Sequence, residues 1–122
     1  PPASAAAEPA DPLFVVIYRP GPAWKPGRPM AQQDLRPHGA YYARLETEGR
    51  VVAGGGFVGE DGGMAVLRAA DAEAAAKILA ADPAVTSGVF QAELRRWSPR
   101  FGVDAALVPP RPKATPGAAT VN

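Results

Sequence analysis

A chain of 122 residues is long enough for one compact domain and too short for two. Its 13 basic and 12 acidic residues are scattered and leave a formal charge of +1, so the basic stripe of a nucleic-acid binder is missing. Zero cysteines exclude a disulfide framework, a redox pair and thiolate metal sites, one histidine excludes a His-rich metal centre, and no apolar run reaches the ~18–20 residues of a membrane-spanning helix.

Hydrophobic residues make up 47% of the chain, enough for a core, but 15 prolines and 13 glycines are unevenly placed. Residues 1–12 (PPASAAAEPADP) are small and Pro/Ala-rich and cannot bury enough surface to fold alone. The missing initiator methionine and the ASA and AAA triplets resemble the end of a secretory signal, which leans toward export to the periplasm; a trimmed cytoplasmic tail is the alternative. Residues 13–101 are expected to form the folded domain, and residues 102–122 a second Pro/Ala-rich tail.

LFVVIY (Leu13–Tyr18) is a continuous apolar, β-branched run, which predicts a strand buried on both faces. Arg19–Pro29 is a loop by its Pro and Gly density. From about Met30 to Glu48 the pattern is helical. His38, Tyr41, Tyr42 and Leu45 share one face, Arg44, Thr47 and Glu48 lie on another, and Gly49 is the stop. Pro37 either kinks this helix or begins its main segment. Val51–Gly59 and Gly63–Ala69 read as a hairpin closed around Glu60–Asp61–Gly62. Asp71 caps an Ala/Leu-rich helix that Pro83 ends, and a last strand covers about Val89–Trp97.

The order βαββαβ predicts an α+β, ferredoxin-like fold: a four-stranded antiparallel sheet with two helices on one face. The other face is then poor in polar residues, and soluble monomers rarely leave such a patch in water. A homodimer through two-fold sheet-to-sheet packing is the expected remedy.

The runs VVIYRPGPAW, DLRPHGAYYARLETEGRVVAGGGF, AEAAAKILAADPAVTSGVF and AELRRW, in this order, resemble the YCII-related family of the dimeric α/β-barrel superfamily. The most specific pieces are HGAYYARLETEG and the DP dipeptide followed by Val85, Gly88 and Val89; the resemblance covers about Leu13–Phe101. It implies a histidine–aspartate pair in a small pocket, at His38 and Asp82. One relative eliminates chloride from a chlorinated hydroxyquinol-type ring, and the wider superfamily includes muconolactone isomerases and cofactor-independent oxygenases. The Arg19–Pro29 loop and both tails fall outside the simplest family pattern.

His38 is the only side chain whose ordinary titration lies near neutrality. In a first helical turn it faces the positive helix end, which favours the neutral ring and hence a proton acceptor, while a neighbouring carboxylate pulls the other way and orients the ring. Its bland reading is a satisfied core histidine. Asp82 extends the Ala75–Ile78–Leu79 face, yet Asp before Pro is also a good cap for a short helix at Pro83–Thr86, and one oxygen can serve each purpose. Such a pair suits isomerisation or elimination on a small organic acid or ring-derived metabolite by proton transfer.

Substrate-binding candidates are Trp24, Tyr42, Gly55 and Ser87. Trp24 is either a lid over the pocket or the anchor of a long loop. The Gly54–Gly56 triplet lacks the ending of a phosphate loop and marks a close backbone approach to a ligand, a helix or a partner. Ser87 lacks a nucleophile elbow and reads first as a turn residue. No cofactor is implied, since no dinucleotide fingerprint, phosphate loop or metal cluster is present. A non-catalytic ligand-binding module and a structural dimeric domain are the competing functions.

Overall fold

The computed structural model describes residues 11–102, so both tails assigned from sequence lie outside it apart from residues 11, 12 and 102. The elements are β1 (Leu13–Pro20), a 3-10 turn (Met30–Gln32), α1 (Arg36–Thr47), β2 (Val51–Gly56), β3 (Gly63–Arg68), α2 (Ala72–Ala80), α3 (Pro83–Thr86) and β4 (Phe90–Trp97). The four strands form one antiparallel sheet in the order β2-β3-β1-β4. No helix among the described residues is long and apolar enough to cross a membrane.

The α+β, ferredoxin-like order predicted from sequence is therefore the fold, but three boundaries move for local reasons. The single helix expected over Met30–Glu48 is split. Gln33 is extended, and Pro37 stands in the first turn of α1, where its missing N–H loses no bond. Gly49, at φ 78°, ends α1 while Arg50 N–H reaches back to Leu45 O at 2.9 Å. The hairpin strand stops at Gly56 rather than Gly59, because Phe57 N–H turns to Gly62 O at 2.9 Å and closes a longer loop. Strand β1 runs on past Tyr18, since Arg19 and Pro20 still pair with Gln91 and Phe90.

Register decides which side chains face the helices. Phe14, Val16 and Tyr18 of β1 lie beside Leu67, Ala65 and Gly63 of β3, and this face meets Leu79 of α2 and Ala84 of α3. Phe14 and Leu67 are fully buried, each contributing roughly 1.5–3 kcal/mol. On the opposite face stand Leu13, Val15 and Ile17 with Val66 and Met64. Strand β1 is thus not sealed on both sides: Val15 and Ile17 are only half-buried, and Met64 and Trp97 keep 37% and 41% of their surface. Along β4 that apolar stripe is bordered by charge. Glu93 accepts from Arg19 at 2.9 Å and from Arg95 Nε at 2.6 Å, and these two guanidinium groups hold its carboxyl below the usual range.

The long loop after β1 is pinned rather than loose. Gly21 and Ala23 donate to Val89 O and Gly88 O at 2.9 and 2.8 Å, and Gln33 binds Lys25 N, Lys25 O and Arg28 O through its side-chain amide. Trp24 is buried, with its ring stacked on Phe90 at 5.7 Å. Gly21 is required here, because a Cβ at that position would stand 2.3 Å from Gly88 O.

Candidate active site

Four side chains from three segments converge at the open edge of the core. Tyr18 comes from the end of β1 on its helix-facing side. His38 sits in the first turn of α1, and Tyr42 is one turn further along the same helix face. Asp82 lies in the short link between α2 and α3. Pro37 sets the start of α1, and so decides that the His38 ring emerges beside the sheet.

Asp82 is 0% exposed, and a buried carboxylate is tolerated only when its oxygens are satisfied. Its Oδ1 accepts from Ala84 N–H at 2.9 Å, capping α3, and its Oδ2 accepts from the Tyr18 hydroxyl at 2.9 Å. His38 Nδ1 lies 2.9 Å from both oxygens. Each oxygen already receives a proton from Ala84 or Tyr18, so the carboxylate is the acceptor toward the imidazole as well. Nδ1 therefore carries the hydrogen, and in the neutral ring the lone pair is on Nε2. Among the described residues no buried side-chain polar atom lacks a partner.

Aromatic packing fixes the ring. Tyr18 and Phe90 meet His38 edge-on at centroid distances of 5.3 and 5.5 Å, and Tyr42 lies at 4.9 Å. Tyr42 and Tyr18 share a hydrogen bond of 2.5 Å. Burial pushes Tyr42 up to about 12 and, with the neighbouring Tyr42 and Asp82, raises Tyr18 well above the ordinary tyrosine range. Both hydroxyls keep their protons at neutral pH.

The His38 side chain retains 20% of its surface and lines a cleft of about 840 Å³ between α1 and strands β2 and β3. Tyr18, Tyr42 and Phe90 line it from one side and the glycines of β2 from the other. Arg36, at the start of α1, is a cation on its wall, and its side chain has no hydrogen bond or ion pair with another described residue.

Of the residues singled out from sequence, the structure brings His38, Asp82 and Tyr42 together. Gly55 lines the cleft only through its backbone. It pairs with Met64 on the far face of the sheet, and a Cβ there would meet nothing within 4 Å. Gly54 and Gly56 are the cleft-facing positions, where a Cβ would stand 3.4 Å from Ala65 Cβ and 3.6 Å from the Met30 side chain, respectively. Trp24 does not line the cleft; it is the loop anchor described above. Ser87 is also away from it, with its hydroxyl turned to Ala84 O at 3.4 Å. Sequence reasoning missed Tyr18 and Arg36. Tyr18 was legible in principle, since it shares the alternation of Phe14 and Val16 and is the one polar tip on that inward row.

This is a four-stranded antiparallel α+β domain with a cleft lined by a histidine that contacts a buried aspartate. The YCII-related domain matches residues 13–98, and the chain belongs to that family. No curated protein is similar enough to add a relative of known activity.

Proposed function

We propose that the protein transfers a proton on a small organic acid or ring-derived metabolite, with His38 as general base and acid and Asp82 as the group that orients it. The observation that carries this reading is the Nδ1 contact with the buried Asp82 carboxylate, which in the neutral ring assigns the lone pair to Nε2 on a side chain that lines the cleft. Nε2 takes a proton from a carbon next to a carbonyl, and the C–H electron pair moves toward the carbonyl oxygen. Return of the proton one position along completes an isomerisation; departure of a β substituent with its electron pair completes an elimination. Arg36 supplies a positive charge for a substrate carboxylate.

The test is hydrogen–deuterium exchange at carbon, followed by proton NMR in D2O over a panel of 2-oxo and 4-oxo acids. Protein-dependent exchange is expected for members of the panel, and His38→Gln should lower it by a factor of about 10²–10⁴. Exchange unaltered by that substitution removes His38 as the base, and binding of panel acids with no exchange favours a non-catalytic ligand-binding module instead.

We further propose that two copies pair through the sheet face carrying Val15, Ile17 and Met64. The stripe is apolar at its centre and is bordered by the Arg19–Glu93–Arg95 group, an arrangement that a two-fold axis can match with itself.

A further inference from the structure

The direction of the hydrogen bonds around Asp82 has a consequence for what the cleft can hold. A tyrosine has one proton to give. That of Tyr18 goes to Asp82 Oδ2, so the bond between the two tyrosines is made by the Tyr42 proton, donated to the Tyr18 oxygen. The chain runs from Tyr42 through Tyr18 to Asp82, and it ends at a carboxylate that accepts from every neighbour. Tyr42 has no proton left over. Its oxygen can only accept, and each donated bond further along the chain makes it a better acceptor.

Tyr42 lines the cleft on the same helix face as His38, with ring centroids 4.9 Å apart. We propose that the Tyr42 oxygen reads the substrate as a hydrogen-bond acceptor, so that the molecule taken by this cleft carries a hydroxyl donor close to the carbon facing His38. A ligand with an ether or carbonyl oxygen at that point meets lone pairs with lone pairs and is rejected. The placement beside a reacting carbon rests on the proton-transfer reading above; the hydroxyl preference is a property of binding alone.

The experiment uses two acids of the same framework, 4-hydroxybenzoate and 4-methoxybenzoate, titrated into the ¹⁵N-labelled protein and followed by NMR. The hydroxy acid is expected to bind about tenfold more tightly than its methyl ether, the value of one well-formed hydrogen bond to a partly buried acceptor. Tyr42→Phe should reduce that ratio to about one. Tyr18→Phe provides a second variant: it frees the Tyr42 proton to turn into the cleft, and the ratio should fall there as well. His38→Gln should keep the preference, so a failure of the proton-transfer reading and a failure of this one give different results. Equal affinity of the two acids for the wild-type protein overturns the proposal. So does a preference that survives both tyrosine substitutions, or the lack of saturable shifts with either acid.

Discussion

Replacing Asp82 by Asn changes almost no volume and tests the whole hydrogen-bond order of the site. The side-chain oxygen of Asn can still accept from Ala84 N–H, a bond of 2.9 Å, so the cap of α3 survives. Its NH2 group then occupies the place of Oδ2 and faces Tyr18 and His38 with hydrogens instead of lone pairs. Tyr18 must turn around and accept from residue 82, while Nδ1–H keeps as its acceptor the amide Oδ1, which also lies 2.9 Å away but no longer carries charge. Two bonds to a charged acceptor, worth about 1.5–3 kcal/mol each, are exchanged for two neutral ones worth about 0.5–1.5 kcal/mol each. The net loss is roughly 2–3 kcal/mol, and for a domain of this size each kcal/mol lowers the melting midpoint by about 4–8 °C. The tautomer is read directly from ¹⁵N chemical shifts of the single histidine, and stability from thermal unfolding. Expected are an Nδ1–H tautomer in both proteins and a midpoint lowered by roughly 10–20 °C in Asp82→Asn. An Nε2–H tautomer in the wild type, or a midpoint for Asp82→Asn within a few degrees of wild type, refutes the assignment of Asp82 as the acceptor at the centre of the site.

Alkaline titration gives a second check. Tyr18 and Tyr42 hold their protons above the value of about 10 found in an unfolded chain, Tyr42 to about 12. The folded state therefore binds more protons in that window, so stability is intact below about pH 10 and falls as pH rises toward 12. Tyrosinate absorbance should appear together with loss of the folded circular dichroism signal; all 3 tyrosines ionising near pH 10 in a folded protein would contradict the burial argument. Gly56→Val projects into the cleft toward Met30 and should weaken 4-hydroxybenzoate binding, whereas Gly55→Ala projects onto the far face and should leave it unchanged; titration of both variants decides. Trp24→Ala should destabilise the domain by about 3–5 kcal/mol in denaturant unfolding while leaving the His38 tautomer as it is. Ile17→Lys places a charge in the middle of the proposed pairing face and should convert a micromolar dimer into single copies in sedimentation; a wild type that sediments as a monomer removes the pairing proposal.

Periodicity and punctuation carry the strand and helix order a long way. The apolar run of β1, the Asp71 cap and the Pro83 stop act locally, through backbone restriction and side-chain-to-backbone bonds, and such effects are readable from a few neighbouring letters. The split at Gln33–Leu35 was not, because it depends on Gln33 bonding across to Lys25 and Arg28, a contact made by a loop that folds back. The same distinction holds in the site. His38 and Tyr42 are one helical turn apart and share a face by arithmetic, while the meeting of His38 with Asp82 spans 44 positions and was suggested by family resemblance alone. Trp24 looked equally suitable as a lid or as an anchor, and only its stacking on Phe90 separates the two. Gly55 belongs to a glycine triplet read without regard to facing, and the register shift between Val51 and Ala53 places Gly54 and Gly56, not Gly55, toward α1.

The β2 glycines leave the floor of the cleft built from main chain. Reactive groups and shape are thereby entrusted to different stretches of polypeptide: one set to β1, α1 and the α2–α3 link, the other to a single hairpin arm. A mutation in that arm can narrow or reshape the chamber without disturbing the His38–Asp82 contact, so under the proposed function the repertoire of accepted molecules is free to drift while the proton transfer stays constant.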